Sequence, residues 1–236
     1  MRIFVTPAQL VAGELVVRGD EHHYLARVRR ARAGDRVELV DGAGRRAAAA
    51  ITRITDADTA LAVETPQAIA ALPPLVRALV PLIKGDRMDT CLEKLVEVGV
   101  DAITVWPAAR SVVRLDPARK PARLAKYQGA LQAAARQSGR AQIPAITLAD
   151  DLAAALAALP AGATRLVLDP ASDGPLHVTA AVDITIASGP EGGLAPDELE
   201  TLARSGFVSV GLGPRILRAE TAPLVAIALV RAATRT

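Results

Sequence analysis

Two glycine-rich turns stand close together near the end of the 236-residue chain: Ser188-Gly189-Pro190-Glu191-Gly192-Gly193 and Gly211-Leu212-Gly213-Pro214-Arg215. Each follows a short apolar run, Ile184 to Ala187 and Phe207 to Val210, with the composition of a buried strand. Glycine lets backbone groups approach a ligand with no side chain in between. One such turn is an ordinary chain reversal. Two in succession, with Glu191, Arg215, Arg218 and Glu220 around them, point to a ligand site. An arginine there can stabilise a developing anion, and a glutamate can take a proton or order a loop. Metal chemistry is not expected. Cys91 is the single cysteine, and His22, His23 and His177 show no ligand spacing.

The elements that carry these turns read as alternating strand and helix. Leu75 to Ile83 is a strand, Arg87 to Val98 a helix capped by Gly99, and Ala102 to Trp106 the next strand. A long helix is expected from Pro121 to Ser138, a short one from Leu152 to Leu159, and a strand from Arg165 to Leu168. Pro196, with Asp197 and Glu198 in the first turn, opens a helix between the two glycine turns. A last helix, Leu224 to Ala233, is apolar nearly all round and must be buried or covered by another subunit. All-apolar strands alternating with helices indicate an α/β fold with a mostly parallel sheet. Ligands of such sheets bind at the carboxyl ends of strands. A dinucleotide fold is excluded, because its glycine fingerprint follows the first strand and leads into a further βαβ unit. Here no strand can follow the second glycine turn.

Residues 1–72 read differently, as a small β-rich module. Short apolar segments at Ile3–Val5, Leu15–Val17, Val37–Val40, Ala47–Ile54 and Ala60–Val63 are separated by turn residues. A short helix is expected after Asp20, with Asp20 as its cap. His22 and His23 fit capping or packing roles. Ala71-Leu72-Pro73-Pro74 reads as a linker, which places a domain boundary there and a second domain over 73–236.

Charge separates the chain further. Residues 73–145 carry 12 basic and 6 acidic side chains, whereas residues 146–236 carry 6 and 10. From Arg110 to Arg140 eight basic side chains face one acid, Asp116. Clustered cations of this kind suit a polyanion. The plain alternative is a solvated face; if a polyanion binds, Arg27, Arg30 and Arg32 in the N-terminal module, with Arg110, Arg114, Arg123 and Arg136, are its candidate contacts. Aromatic residues are only 2%, so a base-stacking platform is not expected. At 51% hydrophobic and 22% charged the chain can bury a core. It shows neither a membrane-spanning run nor a secretion signal, and one cysteine fits a reducing compartment, so a cytoplasmic location is expected.

A set of motifs gives this a family. Lys84-Gly85-Asp86-Arg87-Met88-Asp89, Glu97-Val98-Gly99-Val100, Gln137-Ser138-Gly139-Arg140, Gly189 to Gly193, and Leu212-Gly213-Pro214-Arg215-Ile216-Leu217-Arg218 with Glu220-Thr221-Ala222 occur in this order. The whole chain resembles the bacterial ribosomal RNA small subunit methyltransferase E family. The resemblance implies an N-terminal PUA-like RNA-binding β-barrel and a C-terminal SPOUT α/β domain whose end threads a trefoil knot. It implies S-adenosylmethionine as cofactor, a homodimer, and methylation of N3 of a uridine (uridine 1498 of 16S rRNA) within the small subunit. The cofactor loops then fall on Leu168, on Gly189, Gly192 and Gly193, and on Gly211, Leu212, Gly213, Ile216 and Leu217. Arg218 or Arg140 would bind the uridine and stabilise its anion, with Glu191 as a candidate base or, alternatively, a loop-ordering residue. Two departures, Arg29 and Arg136, add positive charge. Two other readings stay open: an enzyme of the same fold acting on tRNA or a ribose hydroxyl, and a non-enzymatic RNA-binding or ribosome-assembly protein.

Overall fold

Apolar and polar residues alternate along residues 36–63, and that alternation builds the first of two sheets. In the computed structural model, which describes residues 1–70, 73–177 and 183–234, the chain forms two compact units. Ala71 and Leu72 of the expected linker lie outside the described residues. The first unit is Met1–Ala71 with Ala135–Ile143. Its strands are β1 (Arg2–Phe4), β2 (Gly13–Val17), β3 (Arg36–Val40), β4 (Arg45–Ile54), β5 (Thr59–Val63) and β6 (Gln67–Ala68). They run in the order β1-β3-β4-β5-β2, with β6 added on β4; β1 and β3 are parallel and the other pairs antiparallel. One face packs Ile3, Leu39, Ile51 and Leu61 against Leu25.

Leu25 comes from the segment that follows α1 (Gly19–His23), a π-helical turn over Tyr24–Val28. Asp20 does not cap this helix. Arg18 holds the cap position, without a side-chain bond, and Asp20 sits in the first turn, where a carboxylate favours the helix dipole. His22 is buried with Nδ1 2.9 Å from Thr59 Oγ1, a packing role. The segment Ala135–Ile143 joins this unit although the paired prolines placed it in the second domain. Arg136 explains part of the grouping: its guanidinium binds the Glu21 carboxylate and lies 5.5 Å from the Phe4 ring centroid. Burial pushes the Glu21 carboxyl up, and Arg136 counters part of that.

The second unit is the α/β part. Strands β7 (Val76–Pro81), β8 (Ala102–Trp106), β9 (Ala145–Leu148), β10 (Thr164–Leu168), β11 (Ile184–Ala187) and β12 (Phe207–Val210) form one parallel sheet in the order β12-β10-β11-β7-β8-β9. The central strands are almost continuously buried, as both faces of a covered sheet require. Helices α2 (Asp86–Val98), α3 (Lys120–Gln137), α4 (Leu152–Ala157), α5 (Pro196–Arg204) and α6 (Thr221–Ala233) connect or follow the strands. The edge strand β9 was not expected. Its four residues alternate exposed and buried, too short a run to read as a strand.

Helix α6 packs on α2 and against β7 and β11. Arg231 fixes it there. Nε donates to Gly99 O at 2.9 Å, Nη1 to Pro74 O at 2.8 Å, and Nη2 to the Asp101 carboxylate, which also accepts the Val76 amide at 2.8 Å. Pro223, Ala226, Ile227 and Val230 are buried, whereas Leu229 stays 49% exposed. Cys91 is core, as its helical spacing indicated, and burial pushes its thiol up to about 12, which removes it as a nucleophile.

Candidate active site

Strands β12, β10 and β11 are neighbours and parallel, so the loops at their carboxyl ends leave the same edge of the sheet. Those loops enclose a cavity of about 560 Å³. Leu168, Asp169 and Pro170 come from the end of β10. Ser188 to Leu194 come from the loop after β11, and Val210, Leu212, Gly213 and Arg215 to Ala219 from the segment after β12. Of the residues expected to hold a cofactor, Leu168, Gly189, Gly192, Gly193, Leu212, Gly213, Ile216 and Leu217 all line this one cavity. Its wall is largely aliphatic, and Ile216 at 85% exposure presents an uncovered apolar side chain.

Gly211 is the expected residue that does not line it. Its amide donates to Gly174 O at 2.8 Å, and a Cβ at this position would stand 2.2 Å from Ser172 O. Glycine is required here by close backbone packing between the ends of β12 and β10.

The three candidate catalytic residues separate. Arg218 lines the cavity, is exposed, and has no side-chain partner among the described residues; its carbonyl accepts the Thr221 and Ala222 amides. Glu191 lines the cavity too, but its carboxylate is paired with Arg87 at 3.0 Å. Arg140 belongs to Ala135–Ile143 in the first unit, where its amide donates to Ala135 O at 2.8 Å. It does not line the cavity.

Two wall residues had no assigned role in the sequence. Arg87 carries the partner of Glu191 from the start of α2. Ser188 is 1% exposed, and its Oγ has no hydrogen-bond partner among the described residues. The residue lines the cavity, and a buried hydroxyl without a partner is open to a hydrogen bond from a group outside the chain. Arg87 was legible as part of its motif and Ser188 as the first residue of its glycine turn, whereas an orphaned hydroxyl exists only in three dimensions.

The basic stretch proves less free than its sequence implied. Lys120 pairs with Asp150 at 2.7 Å, Lys126 with Asp89 at 2.8 Å, and Arg119 with Asp116 at 3.5 Å. Arg123 lies against Tyr127. Arg110 donates to the Gly192 and Leu194 carbonyls at 3.1 and 3.3 Å, and Arg136 is held by Glu21. Arg114 remains exposed with no side-chain partner among the described residues. In the first unit Arg27 is loosely paired with Asp56 at 3.6 Å, while Arg30 and Arg32 are exposed without such partners among the described residues. Among the described residues no cluster could hold a metal ion, and no helix is long and apolar enough to cross a membrane.

Comparison with known proteins agrees with this architecture. The RNA methyltransferase domain family matches residues 71–231, and the RNA methyltransferase PUA domain family matches residues 17–65. The ribosomal RNA small subunit methyltransferase E of Mycobacterium bovis is 36% identical over 91% of this chain and 85% of its own length. That of Bacillus subtilis is 29% identical over 91% and 88%. The crystal structure of the Neisseria gonorrhoeae enzyme of that name, bound to S-adenosyl methionine, superposes with a TM-score of 0.85. It is 30% identical, covering 98% of this chain and 97% of that one. With a PUA domain, a parallel α/β methyltransferase domain and relatives that match along nearly its full length, the chain belongs to the ribosomal RNA small subunit methyltransferase E family.

Proposed function

We propose that this chain transfers a methyl group from S-adenosylmethionine to N3 of a uridine in small-subunit ribosomal RNA, at the position of uridine 1498. The observation that carries the reading is the convergence of three strand-end loops on one cavity with the uncommitted Arg218 in its wall. The residues present fit the donor. Leu168, Leu212, Ile216 and Leu217 offer an apolar slot for an adenine, and Ser188 Oγ offers an unsatisfied polar partner.

When bound, S-adenosylmethionine supplies a sulfonium methyl that is lost to a nucleophile in line with the breaking bond. The glycine loops let main-chain amides and carbonyls approach the donor and hold its orientation. Uridine N3 carries a proton and becomes nucleophilic as that proton passes to solvent water; the N3–methyl bond would form as the sulfonium–methyl bond breaks, and the donor would leave as the neutral thioether. Arg218 donates to the uracil oxygens and stabilises the anion that develops there. Glu191 orders its loop through Arg87, which disfavours it as the proton acceptor. Arg27, Arg30, Arg32 and Arg114 supply phosphate contacts. The substrate is the assembled small subunit in the cytoplasm, and the enzyme is a homodimer; the uncovered Leu229 on the otherwise apolar α6 supports the latter.

Calorimetric titration with S-adenosylmethionine tests the donor site. The wild-type chain is expected to bind one donor per chain, and Leu212→Arg, which fills the cavity, to lose that binding. A wild-type chain that binds no donor contradicts the reading.

A further inference from the structure

The loop from Gly189 to Ala195 closes on itself through Gly193 N, which donates to Pro190 O at 2.8 Å, and two of its carbonyls are held by a remote segment. Glu198, the third residue of α5, is 7% exposed. Its Oε2 accepts the Ala195 amide at 2.8 Å, which fixes the end of the loop to the helix start. Its Oε1 accepts the Ala109 amide at 2.7 Å, from the chain that leaves β8. The next residue, Arg110, reaches back with Nη1 to the Gly192 and Leu194 carbonyls. A Cβ on Gly192 would meet the Arg110 Cβ at 3.1 Å, so the loop lies directly against this arginine. Neither Glu198 nor Arg110 lines the cavity, whereas Gly192, Gly193 and Leu194 do.

We propose that Glu198 and Arg110 are positioning residues that clamp the 189–195 loop into its donor-binding shape, and that Arg110 serves this role instead of contacting RNA phosphate. The inference rests on the methyl-donor reading of the cavity. It takes Arg110 out of the candidate RNA contacts: its guanidinium is committed to two carbonyls of the loop. Charge-assisted bonds of this type are stronger than neutral ones, so their loss is felt by whatever the loop holds.

The test measures S-adenosylmethionine affinity by calorimetry in the absence of RNA, and KM for donor and for RNA separately, for wild type, Arg110→Ala, Arg110→Lys and Glu198→Gln. Arg110→Ala is expected to weaken donor binding about tenfold without RNA present and to leave KM for RNA within about twofold. Arg110→Lys should recover part of the loss, because an ammonium can still donate to one carbonyl. Glu198→Gln should weaken the donor similarly, since a neutral amide offers one acceptor oxygen where the carboxylate offers two. Arg110 is exposed, so its variants keep the wild-type melting temperature, which separates positioning from general destabilisation. Wild-type donor affinity in Arg110→Ala, with or without a raised KM for RNA, overturns the proposal. Absence of donor binding in the wild type overturns the methyl-donor reading and this proposal with it, whereas normal wild-type binding with unaffected variants overturns the proposal alone.

Discussion

Arg218→Ala is expected to lower kcat by about 10²- to 10³-fold, the size typical of losing one preorganised donor to a developing oxyanion. Donor affinity should stay within about threefold. The asymmetry follows from what the side chain touches. Arg218 lines the cavity and is exposed, and no side-chain hydrogen bond or ion pair commits it among the described residues. Removing it leaves no buried partner unsatisfied, so the fold should not suffer. A loss confined to kcat identifies an interaction made in the transition state and not in the ground state. Arg218→Lys keeps the charge but loses the two-pronged donor, and should fall between the two. Equal rates in wild type and Arg218→Ala would remove Arg218 from the mechanism and return attention to the other uncommitted arginine of the wall, Arg215.

Gly211→Ala is expected to cost stability and donor affinity together. The methyl group would stand 2.2 Å from Ser172 O, a main-chain atom that cannot swing aside. The surroundings are tightly laced. Asp169 N donates to Val210 O at 3.0 Å, Ser172 Oγ to Ser209 O at 3.0 Å, and Gly211 N to Gly174 O at 2.8 Å. Relief therefore has to break some of these bonds. The expected destabilisation is about 2–3 kcal/mol, or a fall in Tm of roughly 4–10 °C for a chain of this size. The displaced loop also carries Asp169 and Pro170 into the cavity wall, so donor binding should weaken even in the folded fraction. A variant that melts at the wild-type temperature would show that the two strand ends can separate without cost.

Most of the second unit was legible because its information is local. Apolar runs end in glycine turns, and the parallel character of the sheet follows from alternation with helices. The cavity was legible for the same reason: Leu168, the 189–193 turn and the 212–218 segment all sit at strand ends. What was not legible depends on distant pairs. The Arg110–Arg140 stretch looked like a bare cationic face, yet Asp89, Asp150 and Glu21 arrive from elsewhere in the chain to pair with it. Glu21 and Arg136 are 115 residues apart, and no local pattern could have placed Ala135–Ile143 with the first unit. Gly211 was read as a ligand-facing glycine because its neighbours are; the requirement it meets is backbone packing. Arg110 was read by its charge, whereas its geometry directs it to the glycine loop.

The central claim is the identity of the methylated atom. Small ribosomal subunits from a strain lacking the gene, incubated with the protein and labelled S-adenosylmethionine and then digested for mass spectrometry, measure it directly. The account predicts one labelled 3-methyluridine per subunit, mapped to the fragment that contains uridine 1498, and none in tRNA. Label on a ribose hydroxyl, label in tRNA, or no transfer to the subunit at all would contradict it.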